Sequence, residues 1–150
     1  MPALMTRRPL ALILAAFLAV TLPACARPDN HRTDVQIHLS SSPTAAEFER
    51  QVPGTFVFAD RMGAALVALL PTPLKVDGAN AMTRYRAGDV AYWADEQSLF
   101  VFRTDGESVP GAGLVLVGHV TGGTAALAHC TQNCALRVSA SGLLEDGTDQ

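Results

Sequence analysis

The stretch Tyr85-Arg86-Ala87-Gly88-Asp89-Val90-Ala91-Tyr92-Trp93 and its partner Ser98-Leu99-Phe100-Val101-Phe102 decide the fold of this 150-residue chain. Both stretches are rich in β-branched and aromatic residues, which suit a pleated, half-buried surface. The three polar residues between them fit a hairpin loop. Alternation along the first strand places Tyr92 and Trp93 on opposite faces. The sequence therefore predicts a β-hairpin at the centre of the domain.

Composition and charge limit the kinds of function. Hydrophobic residues make up 49% of the chain and charged residues 17%, values of a globular domain rather than a disordered tail. Arg7 and Arg8 lie in an N-terminal leader, and the remainder carries nine basic and 14 acidic residues, a net charge of −5. With a single lysine, the chain has no basic stripe to follow a phosphate backbone. Nucleic acid is therefore not an expected partner.

Residues 1–24 have the features of a bacterial export signal. An uncharged apolar run from Leu10 to Leu22 follows the basic pair and is shorter than the roughly 20 residues that span a bilayer. The next residues, Leu22-Pro23-Ala24-Cys25, resemble the lipobox of bacterial lipoproteins. The resemblance implies cleavage before Cys25, acylation of its sulfur, and a lipid anchor in the membrane outside the cytoplasm.

A second processing route remains open. Ala24-Cys25-Ala26 also fits the A-x-A pattern of an ordinary signal peptidase site, whose product would be secreted or periplasmic. Both routes leave Cys130 and Cys134 as an even pair. On the lipobox we favour the lipoprotein, with residues 25–33 as a polar tether between the anchor and the domain.

Residues 34–142 have the pattern of one mainly β domain, followed by an acidic tail over 143–150. Strands are predicted over 34–40, 55–60, 89–93, 98–102, 114–120 and 135–140. Short helices are predicted to begin at Pro43 and at Thr124. Residues 62–70 are apolar with little period, and 64–70 fit either a helix or a buried strand. The continuously apolar stretch 114–120 is predicted to be buried on both faces. Many short strands with two short helices favour a β-barrel or sandwich.

Six stretches in sequence order resemble motifs of the small bacterial cyclophilin-like domains. They are Pro43-Thr44-Ala45 with Phe48, Val52-Pro53 with Thr55-Phe56, Leu70-Pro71-Thr72-Pro73-Leu74, Gly88 to Trp93, Leu99 to Phe102, and Leu116 to Gly123. Together they span about Val35 to Leu127. The resemblance implies a closed β-barrel of the cyclophilin type, with one or two short helices over its ends.

The chain also departs from the family pattern. Family members usually begin with a strand ahead of the one predicted from Asp34, and its lack implies an exposed barrel edge here. The arginine of the family's L-G-R motif is His119, and the aromatic residue after its I-F motif is Arg103. Because polar positions are among those that changed, no family site is carried over.

Cysteine and histidine spacing bears on redox and metal chemistry. Three residues separate Cys130 from Cys134, whereas thioredoxin-like activity requires two and a βαβ context. In an oxidising envelope this pair favours a disulfide that joins the end of the second helix to the last strand. The four histidines, at positions 31, 38, 119 and 129, lack the spacing of a zinc site, so no metal is predicted.

The sequence contains no catalytic motif. Prolyl isomerisation would need an arginine beside an aromatic pocket, and the Phe-His-Arg motif of true cyclophilins does not occur. We therefore expect a non-enzymatic module that binds a peptide or small ligand without a cofactor, at a barrel end near Arg86, Trp93 and Arg103. The alternative is an isomerase or other enzyme on the same barrel.

Overall fold

Seven strands close into a barrel in the computed structural model, which describes residues 33–76, 79, 81–108 and 111–141. The predicted export signal, Cys25, the tether up to residue 32 and the acidic tail lie outside these residues. The domain predicted from residue 34 onward is therefore described almost completely, and the boundaries of the leader and tail stay predictions.

The elements follow one another along the chain with short connections. The barrel strands are β1 (Asp34–Leu39), β2 (Gly54–Arg61), β3 (Ala65–Leu69), β5 (Asp89–Trp93), β6 (Ser98–Phe102), β8 (Leu114–Gly122) and β9 (Cys134–Ser141). Two-residue strands β4 (Arg84–Tyr85) and β7 (Gly106–Glu107) pair as a separate ribbon. The helices are α1 (Pro43–Glu49) and α2 (Thr124–His129). Residues 64–70, which fitted either type of element, contain strand β3.

The barrel closes because its first strand lies between β8 and β9. The full order is β1-β8-β5-β6-β3-β2-β9, with β1 antiparallel to β8 and parallel to β9. Val35 and Ile37 are opposite Val138 and Ala140 in the parallel pair. Every barrel strand thus has two neighbours, so the predicted exposed edge is wrong. The mainly β, cyclophilin-like barrel itself is confirmed.

The barrel interior follows from the alternation of side chains along each strand. Inward positions carry large apolar residues that are almost completely buried, whereas their neighbours in sequence point outward. They include Ile37, Phe58, Leu66, Val90, Tyr92, Leu99, Val101, Val117 and Val138. Each such side chain contributes about 1.5–3 kcal/mol through burial, which makes this core the main source of stability.

A second apolar layer covers part of the barrel's outer wall. The β4–β7 ribbon folds over β6, and Tyr85 stacks on Phe102 with ring centroids 3.8 Å apart. Phe100 and Leu114 are buried in the same layer. All five residues of β6 are therefore buried. The layer does not reach Leu116, which is 37% exposed, and His119 is exposed as well, so the prediction that residues 114–120 are buried on both faces is wrong at these two positions.

Helix α1 covers one end of the barrel, called here the α1 end. Ser42 caps it by accepting a hydrogen bond from Ala45 N at 3.1 Å, and Pro43 occupies the first helical position, as the sequence predicts. Phe48 inserts completely into the core. The hydroxyl of Tyr92 accepts a hydrogen bond from Leu74 N at 3.1 Å, and this bond fixes the proline-containing segment 70–74 over the same end.

Helix α2 covers the opposite end, called the α2 end, and a tight turn leads into it from β8. Gly123 adopts a φ of +81° there. A Cβ at this position would lie 2.0 Å from the carbonyl oxygen of Asp34. Strand β1 and the start of α2 therefore approach more closely than any side chain allows, and only glycine fits.

This contact predicts that replacing two different glycines by alanine lowers the stability of the protein by unequal amounts. Gly111 also has a positive φ, +83°, but a Cβ there would meet nothing within 4 Å. Gly111→Ala should cost about 1–2 kcal/mol for the backbone conformation alone. Gly123→Ala must in addition displace β1, and we expect at least about 2 kcal/mol more in the free energy of unfolding. Urea unfolding of the mature protein measures both, and equal losses would contradict the packing argument.

Candidate functional site

A cavity of about 450 Å³ lies at the α2 end, between the helix and the turn that precedes β5. Its lining comes from four parts of the chain: the turn, the end of β6, β8 and α2. The lining residues are Ala87, Gly88, Val101, Phe102, Arg103, His119, Val120, Thr124, Leu127 and Ala128. Most of these side chains are apolar, and the few polar groups converge from different elements, as in sites for small ligands.

Arg103 closes the mouth of the barrel beneath α2. It follows β6 at a position where alternation points the side chain inward. Its guanidinium donates to Asp60 Oδ1 at 2.8 Å and also to the backbone carbonyls of Leu127 and Cys130. Leu127 lies in the last turn of α2, where its carbonyl also accepts from Cys130 N at 3.3 Å, and Cys130 is the residue that directly follows the helix. Arg103 therefore ties the helix to β2 as well as lining the cavity.

Asp89 and His119 form a polar pair on the other side of the cavity. Strands β5 and β8 place them opposite each other, and His119 Nδ1 lies 3.1 Å from Asp89 Oδ1. The second carboxylate oxygen accepts a bond from Arg86 N at 2.8 Å. A Cβ on Gly88 would come within 2.9 Å of the imidazole ring, so the ring lies directly over the glycine backbone.

The pair has the orientation of a general base, because a carboxylate on Nδ1 fixes the imidazole tautomer. The imidazole is about half exposed. Within the described part of the chain, however, no hydroxyl or thiol is hydrogen-bonded to His119. Nucleophilic catalysis of the Ser–His type therefore has no attacking group in this arrangement. The pair can orient a ligand or exchange a proton with one.

A disulfide fixes the far end of α2. Cys130 and Cys134 are bonded, with their Cα atoms 5.7 Å apart, and join the helix to the first residue of β9. The predicted disulfide is confirmed. Together with Arg103 it holds the helical wall of the cavity in place.

Two further findings concern metals and membranes. Among the described residues, no three His, Cys, Asp or Glu side chains are grouped so that they could hold a metal ion. In the same part of the chain, neither helix has the length and hydropathy needed to cross a bilayer.

Comparison with known protein families agrees with the barrel fold. The model of a family described as cyclophilin-like matches residues 29–139, most of the chain. The chain belongs to the cyclophilin-like family. Among curated proteins it has no match.

Solved structures show the same fold. A conserved protein of unknown function from Enterococcus faecalis superposes with a TM-score of 0.53 at 12% identity, over 73% of this chain and 30% of that one. An uncharacterized B. cereus protein gives a TM-score of 0.53 at 10% identity, over 73% of this chain and 33% of that one. This cyclophilin-like chain thus matches only about a third of the length of each neighbour.

The cyclophilin-like barrel separates the three residues that the sequence proposed as a ligand contact. Arg103 lines the cavity, and Arg86 lies beside it in the turn before β5, with its side chain exposed. Trp93 is at the other end of β5, four residues from Asp89 and so about 13 Å away along the strand. The geometry brings Arg86 and Arg103 to the α2 end and leaves Trp93 out.

Trp93 belongs instead to the outer apolar layer. Its ring packs against Phe100 with centroids 5.8 Å apart, and the Arg61 guanidinium lies 5.6 Å from its centroid. Arg61 also pairs with Glu96 at 2.9 Å. The tryptophan thus stabilises the wall through stacking and cation–π contact rather than facing the cavity.

Sequence reasoning did not find the Asp89–His119 pair. Both residues stand in the stretches that resemble family motifs, and His119 was noted only as a replacement of the family arginine. They are 30 residues apart and meet because β5 pairs with β8, which are not neighbours in the chain. The missed signal was the polar residue that interrupts the apolar run 114–120.

Arg103 and Arg86 provide a matched test of the contacts that hold α2 over the barrel end. Replacing Arg103 by Met removes the charged side-chain donor shared by Asp60 and the carbonyls of Leu127 and Cys130, and we expect a loss of about 2–3 kcal/mol in the free energy of unfolding. Arg86→Met removes an exposed side chain and should stay within about 0.5 kcal/mol. Urea unfolding gives these values, and hydrogen exchange should report faster opening of α2 in the first variant alone. Equal stability of the two variants would contradict the assigned role.

Proposed function

We propose that this cyclophilin-like protein is a lipid-anchored module of the cell envelope that binds a peptide segment or small ligand without catalysis. The observation that carries the proposal is the cavity at the α2 end, whose volume of about 450 Å³ falls within the range of small-molecule sites. Val101, Val120 and Leu127 supply apolar walls, and Thr124 and His119 supply polar groups at the rim.

The state of Arg103 supports binding over prolyl isomerisation. An isomerase needs a guanidinium that is free to donate to the prolyl amide. Arg103 already donates to one carboxylate and two carbonyls of the protein. Arg86 is exposed in the turn before β5, whereas Trp93 lies at the other end of that strand. An isomerase or other enzyme on this barrel, the alternative reading, is therefore less well supported.

The cavity can be tested by filling it. Ala128 is an exposed residue of α2 that lines the cavity, whereas Ala125 is exposed on the same helix and does not. With anilinonaphthalene sulfonate as an amphiphilic probe, we expect Ala128→Phe to weaken binding about tenfold, since the new ring takes the apolar space. Ala125→Phe is the control and should bind like the unaltered protein. Fluorescence titration measures both, and similar affinities would rule out the cavity as the binding site.

The anchor is tested at Cys25. We expect the unaltered protein to fractionate with membranes and its N-terminal peptide to carry the mass of acyl groups on Cys25. Cys25→Ala removes the acylated sulfur but keeps a small residue at the alternative cleavage site, so the protein should move to the soluble extracytoplasmic fraction. An unaltered protein that is itself soluble, or a peptide of unmodified mass, would refute the anchor and favour simple secretion.

A further inference from the structure

The direction of the first strand relates the barrel to its anchor. We infer that the α2 end rests on the bilayer surface, with the side chain of Met62 inserted at the interface; this rests on the proposed lipid anchor. Strand β1 begins at Asp34, whose carbonyl contacts the turn into α2. The β2–β3 turn around Met62 lies at the same end, because Asp60 binds Arg103 and its N–H donates to Thr131 O at 3.0 Å.

The length of chain between anchor and barrel favours this orientation. Eight residues lie between Cys25 and Asp34, so nine Cα–Cα steps join the two. Nine steps span about 32 Å at most, the limit of a fully extended chain. The nine-residue strand β8, tilted as in other barrels, gives the barrel a height of about 23 Å. With the α1 end on the bilayer, the chain would have to run along the wall and use about 23 Å of its reach of about 32 Å, whereas the α2 end lies next to the start of β1 and needs almost none of that reach.

Met62 is a residue that the fold does not explain. It is 96% exposed, and it occupies the first central position of a tight turn in which Ala64 N donates to Arg61 O at 3.1 Å. Its φ is +54° and that of Gly63 is +74°, the conformation that favours Asn or Gly at both positions. A large apolar side chain there costs stability and gains nothing from packing. Insertion into a lipid interface would bury it.

Depth-dependent quenching tests the orientation on the acylated full-length protein. Met62→Cys is labelled with an environment-sensitive fluorophore and reconstituted into vesicles of phosphatidylethanolamine and phosphatidylglycerol. Leu69→Cys is the matched control, because Leu69 is also a large exposed apolar residue, 68% exposed, and lies toward the α1 end of β3. Acylation blocks Cys25, and the disulfide blocks the other two cysteines.

We expect spin-labelled lipid to quench the label at position 62 several-fold more strongly than at position 69, and aqueous iodide to do the reverse. Equal quenching by lipid at both positions, or stronger quenching at position 69, in membrane-bound protein would overturn the orientation and leave the anchor standing. A label at position 62 that is shielded from both quenchers would indicate a protein partner instead and would also overturn it. Protein that remains soluble refutes the anchor and the orientation together.

Discussion

Parallel pairing of β1 with β9 is the constraint on which the rest of the barrel depends. It joins the first and last described strands, about a hundred residues apart, and turns an open sheet into a closed one. Closure satisfies the backbone groups of both strands and surrounds a single core. The two short helices then only have to cover the ends. Strand β1 contacts both helices, so its placement in the barrel also positions the helix at each end.

The lid at α2 is stabilised mainly by specific contacts. A helix of six residues is too short to be stable by itself. Three groups hold it: Gly123 allows close approach at its start, Arg103 binds its terminal carbonyls, and the bond between Cys130 and Cys134 fixes the following segment. The same groups define one wall of the cavity. Stability and binding are therefore coupled at this end of the barrel.

Local patterns predicted the strands well, because alternation over 34–39 and 89–93 records which side chains face the core. The stretch 62–70 has no such period, and only pairing with β2 and β6 decides that residues 65–69 form a strand. Arg103 was proposed as a ligand contact, but its main partners are backbone carbonyls, which carry no sequence signal. The Asp89–His119 pair and the separation of Trp93 depend on strand order, which no local pattern encodes.

The double burial of β6 has a consequence for how such proteins diversify. A strand covered on both faces tolerates few substitutions, since any change disturbs either the core or the outer layer. Exposed residues of the helices that cover the barrel ends, such as Thr124, Ala125 and Ala128, are less constrained. A new ligand preference would then require substitutions among the residues that cover the barrel ends, while the strands of the barrel wall stay almost unchanged.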